Sequence, residues 1–310
     1  MLIMTSQWLI GLVYVLAAFL LIFGVWRMSS PVTASGGIHV AGWGMGAAVI
    51  VSFLYVLTVS EAARPHLPVN VSLALLALLL GGGAAWWSGR KAAMTAMPQM
   101  VALYNGMGGG AAAAIAAMEL FGGRVVDLAA LAGTLLGALI GAVSLSGSLI
   151  AWAKLDGRLN KPLRLKGLQL INALLMLVTL GAGAWLMIAL QAADGASGQL
   201  LGLIAVFFGC ALLFGVLMTL PIGGADMPVV ISIYNAFTGL AVGLEGFVLQ
   251  VPAMMIAGML VGAAKGQDLL SGLPGVESHP ASPESYRYRS SGNPAAAEPM
   301  RRVQCQYRYR

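Results

Sequence analysis

Apolar residues run in blocks of about 20 along this chain, separated by short stretches that hold most of its charge. Windows of about 19 residues pick out 7–26, 40–58, 68–87, 99–120, 126–152, 167–190, 200–220 and 228–250, with a shorter run at 252–264. A helix rises about 1.5 Å per residue and needs roughly 20 residues to cross hydrocarbon. Eight runs therefore read as complete spans. The ninth, with thirteen residues, is either cut short or completed by the more polar residues after Lys265. The pattern predicts an all-α, polytopic transmembrane helix bundle of eight or nine spans over 1–264, followed by a tail at 265–310.

Composition agrees: hydrophobic residues are 59% of the chain and charged residues 9%, against about a quarter charged in soluble domains. The first span lacks a basic segment before it and a small-residue cleavage site, so it reads as a retained helix. Basic residues set the expected orientation. Arg27, Arg90, Lys91, Lys154, Arg158, Lys161, Arg164 and Lys166 fall on one side, and only Arg64 and Arg124 on the other. That places the N-terminus outside and, after nine spans, the C-terminus in the cytoplasm. The other seven basic residues lie in the tail, so the net charge of +6 implies no nucleic-acid partner. The tail is rich in Ser, Pro, Arg and Tyr, with Tyr-Arg-Tyr-Arg at 286–289 and 307–310, and reads as disordered and basic. Cys210 and Cys305 suggest neither a disulfide nor a metal site. His39, His66 and His279 all fall outside the spans, so no histidine is placed to relay protons within them.

One phrase occurs twice, 130 residues apart: Met97-Pro98 leads to Tyr104-Asn105, and Met227-Pro228 leads to Tyr234-Asn235. Gly109 and Gly239 follow at the same distance. The two copies open the fourth and eighth spans, so the repeat is parallel. Each proline sits in a first helical turn, where its missing N–H costs nothing. Each asparagine then lies about 10 Å deeper. A polar side chain in hydrocarbon needs a partner and is a functional candidate by default, although interhelical packing also explains such amides. Ser144 and Ser148, one turn apart in the fifth span, can share a face toward a polar interior, with Ser146 turned away. Gly133, Gly137 and Gly141 follow the four-residue spacing of close helix contacts. Asp226 precedes the second copy as a first-turn acid favoured by the helix dipole or as a proton-collecting group. Glu119 and Glu245 reach the outer ends of their spans; Glu245, followed by more apolar residues, is a candidate outer proton acceptor.

The stretches Ile222-Gly223-Gly224-Ala225-Asp226-Met227-Pro228-Val229-Val230 and Met94 to Leu103, with Gly141 to Ser148 and Lys161-Pro162-Leu163, resemble the membrane domain of the proton-translocating NAD(P) transhydrogenase beta subunit. The resemblance covers residues 1 to about 264. It implies a membrane subunit that provides the proton path coupled to hydride transfer between NAD(H) and NADP(H). It also implies an NAD(H)-binding alpha subunit as partner, a dimer of the assembled pair and a bacterial inner (plasma) membrane. Carried over by position, Asn105, Asn235, Ser144 and Ser148 line the path, and Asp226 is the acidic residue of the cytosolic loop. No residue is assigned to catalysis, to a cofactor bound by this chain, or to a metal.

Two departures accompany the resemblance. Part of the family has histidine at the position of Asn105, and an amide does not take up a proton at physiological pH. The family also continues beyond its last span into an NADP(H)-binding domain. After Val261-Gly262-Ala263 no glycine-rich strand-to-helix fingerprint occurs here. The tail thus reads as an out-of-frame end, and the chain as a truncated subunit, inactive in hydride transfer by itself. The alternatives are a small-solute or ion transporter, which usually breaks its paired helices in the middle where this chain has Pro98 and Pro228 at their starts, and a non-functional remnant.

Overall fold

The computed structural model describes residues 2–58, 66–122, 127–159, 167–192 and 198–271. Their regular structure is entirely helical: α1 (Leu2–Met28), α2 (Ala34–Thr58), α3 (Leu67–Lys91), α4 (Met97–Gly122), α5 (Leu128–Leu155), α6 (Leu168–Ala192), α7 (Gly198–Thr219), α8 (Met227–Val248) and α9 (Pro252–Ser271). Eight of these are long and apolar enough to cross a membrane. The all-α polytopic bundle expected from the apolar blocks is therefore the observed fold, with helix ends within a few residues of the block ends; α2 begins six residues before its apolar block and so takes in His39, expected outside the spans, in its second turn.

Of the two readings of the ninth run, the structure takes the second, completion by the residues after Lys265. Its backbone helix continues through the point where hydropathy falls and reaches Ser271, giving 20 residues. Lys, Gln, Ala and Leu are good helix formers, and no proline interrupts before Pro274. Polarity ends the apolar run without ending the helix. Residues 272–310, with His279, Cys305 and the Tyr-Arg runs, lie outside the described residues.

Local chemistry fixes several ends. Asp127 caps α5 by accepting a hydrogen bond from the Ala130 N–H at 3.0 Å. At the other end of α8, Val251 N–H bonds Gly246 O at 2.9 Å and Gln250 N–H bonds Phe247 O at 3.2 Å. Gln250, at φ 55°, occupies the left-handed position of this Schellman-type cap. Pro252 then starts α9, and so tight a turn leaves the two helices antiparallel neighbours.

Helix α5 is the hub: α4, α7 and α8 all pack against it, and more than half of its residues are buried. Helix α6 packs on α7, and α1 and α2 form a hairpin. None of the residues of α3 is buried; the Tyr104 hydroxyl ties it to α4 through Ser88 at 2.8 Å and Ala85 O at 3.2 Å. Small residues permit the close crossings. A Cβ on Gly109 would lie 2.9 Å from the Ser144 Cβ, and one on Gly141 would lie 2.7 Å from Gly109 O, so α4 and α5 touch backbone to backbone. Gly239, Gly243 and Gly246 of α8 likewise meet Gly258, Gly262 and Met255 of α9.

Candidate functional site

The repeat is structural as well as sequential. A short 3-10 turn precedes each copy, Met94–Ala96 before α4 and Gly224–Asp226 before α8, and in both the helix starts at the methionine of Met-Pro. Asp226 sits at the N-cap position of α8, but its side chain makes no capping hydrogen bond and is exposed. The capping role open to it from sequence is not the one it plays here.

Asn105, on the buried face of α4, is 6% exposed. Its Nδ2 donates to Ser148 Oγ at 3.0 Å, while its Oδ1 is buried without a partner. The Asn105 backbone oxygen lies 3.4 Å from Thr238 Oγ1. Thr238 and Ser144 share a hydrogen bond of 2.5 Å, and Ser144 Oγ donates to Tyr234 O at 3.0 Å. Each hydroxyl has one proton. With Ser144 donating to Tyr234 O, Thr238 must donate to Ser144, and the long contact to Asn105 O is left without a proton. Two protons thus serve three contacts, the longest of them to a carbonyl already inside its own helix.

The network continues toward the end of the bundle where α5 and α7 stop and α8 starts. Thr219 Oγ1 donates to Gly215 O at 2.8 Å, so the Tyr234 hydroxyl is the donor in its 2.6 Å bond to Thr219. Lys154, 7% exposed, donates from Nζ to the carbonyls of Thr219 at 3.0 Å and of Leu220 and Ile222 at 2.5 Å each. All three of its N–H groups are occupied, and its charge closes the C-terminal end of α7. It thereby fastens the turn that leads into Asp226.

Asn235 lies one residue off the α5-facing stripe of α8. It shares with Asn105 and Thr238 a cavity of about 440 Å³ between α4, α8 and α9, whose walls include Val101, Val242 and Val261. Its walls are mostly apolar, the Asn235 amide and the Thr238 hydroxyl being polar groups beside it, while the Asn105 side-chain oxygen is buried. The structure thus brings Asn105, Ser144, Ser148 and Asn235 around one centre. Ser146 turns to its own helix, bonding Ala142 O at 3.1 Å. Asp226 stands apart, exposed at the start of α8. Glu245 stands apart toward the other end, seven residues beyond Thr238, which is about 10 Å along the helix.

Sequence reasoning missed Lys154, Thr219, Tyr234 and Thr238. Lys154 was counted with the loop charges, whereas it occupies the last turn of α5. Thr238 carried a usable signal, since it follows Tyr234 by one turn within the repeat. Among the described residues no group of three or more His, Cys, Asp or Glu could hold a metal.

Comparison with known proteins gives a consistent result. The sequence model of the NAD(P) transhydrogenase beta subunit family matches residues 10–271. An NAD(P) transhydrogenase subunit beta of Rhodospirillum rubrum is 31% identical over 260 residues, covering 81% of this chain and 52% of the relative. The same subunit from a named strain of that organism matches to the same extent. The chain spans about half the length of these curated relatives.

Proposed function

The chain belongs to the family of NAD(P) transhydrogenase beta subunits, and on that premise we propose that it forms the membrane proton path of a proton-translocating transhydrogenase. The path couples to hydride transfer between NAD(H) and NADP(H), carried out with an NAD(H)-binding alpha subunit in a dimer of the assembled pair. The bundle lies in a bacterial inner membrane with the N-terminus outside, which puts Arg27, Arg90, Lys91 and Arg158 on the cytoplasmic side.

The observation that carries the reading is the meeting of the two repeat asparagines at one cavity, at the head of a buried hydroxyl network. Polar groups gathered in the dry centre of an apolar bundle cost folding energy unless hydrated or paired. Asn105 and Asn235 orient water in the cavity, Ser148 holds the Asn105 amide, and Ser144 holds Thr238. Asp226, exposed at the inner end beside the turn held by Lys154, collects protons, and Glu245 marks the outer end.

The test is proton flux. The purified chain is placed in liposomes with a pH-sensitive dye inside, and a potassium diffusion potential drives proton entry. Flux well above that of empty liposomes is expected, with a drop of tenfold or more for Asn235→Leu and Asn105→Leu. Flux equal to that of empty liposomes, or unchanged in both variants, rejects the path.

A further inference from the structure

Glu245 is the most enclosed acid among the described residues. It is 0% exposed, and neither carboxyl oxygen has a hydrogen-bond partner. Its room comes from a missing side chain on the neighbouring helix: a Cβ on Gly137 of α5 would overlap Glu245 Oε1. On α8 it extends the face formed by Tyr234, Thr238 and Ala241, at spacings that keep all four toward α5. Thus it lies on the same face as the polar network, about two turns further out.

The groups packed around it narrow what it binds. Helix α5 faces it with Gly137 and, one turn away, Gly133 against Val248. Helix α9 approaches the next residue, Gly246, through Met254 and Met255. From α4 comes Glu119, half-buried, whose charge reaches Glu245. Among the described residues no cationic side chain pairs with it, and a lone carboxylate out of water is costly. A metal cation needs several oxygen ligands, and no group able to hold one occurs among the described residues. A proton asks for one oxygen only.

We propose that Glu245 is a proton-binding site of the membrane path. It takes a proton from water entering past Thr238, forming one O–H bond, and returns it to water beside Glu119 at the mouth. This deepens the proton-path reading and rests on it for its role in transport. It also answers the amide at position 105: the titrating group stands on the second repeat helix instead of the first.

A hydrophobic carbodiimide, which reacts with protonated carboxyl groups inside membranes, tests the site on the unaltered chain in liposomes. Adducts are mapped by peptide mass spectrometry between pH 5.5 and 9. The expected result is an adduct on Glu245 that declines as pH rises, absent from Glu245→Gln. A water-soluble carbodiimide with an amine nucleophile is expected to mark Glu119 and spare Glu245. In the flux assay, Glu245→Gln is expected to lose tenfold or more while keeping the parent's helical spectrum and elution volume. No adduct on Glu245 at any pH, or full flux in the glutamine variant, overturns the proposal. A labelled Glu245 in a chain without proton flux supports the site and rejects the path reading instead.

Discussion

Replacing Lys154 with methionine keeps the side chain as far as Cε and removes its ammonium group. Three carbonyls, those of Thr219, Leu220 and Ile222, lose their donor. Hydrogen bonds to charged groups contribute about 1.5–3 kcal/mol each, so the gross loss is about 4.5–9 kcal/mol. Against this, the variant no longer strips water from an ammonium ion, which returns several kcal/mol. The net expectation is a destabilisation of about 2–4 kcal/mol. At about 2 °C per kcal/mol for a chain of this size, the melting temperature falls by about 4–8 °C. Tryptophan fluorescence of the purified protein during a thermal ramp measures it. Lys154→Arg should recover less than half, because a flat guanidinium does not aim three N–H groups at converging carbonyls. A Lys154→Met protein that melts with the parent refutes the claim that this side chain fastens the turn before Asp226.

Gly239→Ala places a Cβ about 2.5 Å from Gly262 N and must push α8 from α9, at a cost of about 1–3 kcal/mol; a thermal ramp reads it as a lower midpoint. Asp226→Ala removes an exposed side chain that makes no capping bond, so the midpoint should stay within about 0.5 kcal/mol of the parent while proton flux falls. Asn105→Ala leaves Ser148 without its donor and should destabilise more than Asn235→Ala, whose amide only borders a cavity; paired melts of the two variants decide it.

The helices were legible because hydrocarbon demands long apolar blocks, and the starts at Met97 and Met227 because proline belongs in a first turn. The end of α9 was not, since Lys265, Gln267 and Asp268 lower hydropathy while no proline stops the helix before Pro274. Asn105 and Asn235 stood out as amides at repeated depth, and Ser144 and Ser148 as a one-turn pair. Lys154 was hidden by a rule that counts basic residues near helix ends as loop charges. Its role depends on carbonyls more than 60 residues away, in a turn whose position no local pattern announces. Thr219 is similar: it matters through Tyr234, and only the packing of α7 beside α8 brings the two hydroxyls together.

The two repeat copies share a sequence register but not a role, and the hub helix explains why. Helices α4 and α8 approach α5 from different sides, so equal positions on them cannot both face it. On α4 the residue aimed at α5 is Asn105, whose amide meets Ser148. On α8 the α5-facing stripe runs through Tyr234, Thr238 and Glu245, and Asn235 is turned toward the cavity instead. The stripe from Tyr234 to Glu245 therefore carries groups that α4 does not aim at α5, its own repeat phenol Tyr104 being turned to α3: a phenol reaching the Lys154 turn, a hydroxyl and a carboxyl group with no partner. Along α8 these follow one another from its first half to its last turn, with only Ala241 on the same face between the last two. On the proposed path, Ala241 is the apolar residue that a proton has to pass between Thr238 and Glu245.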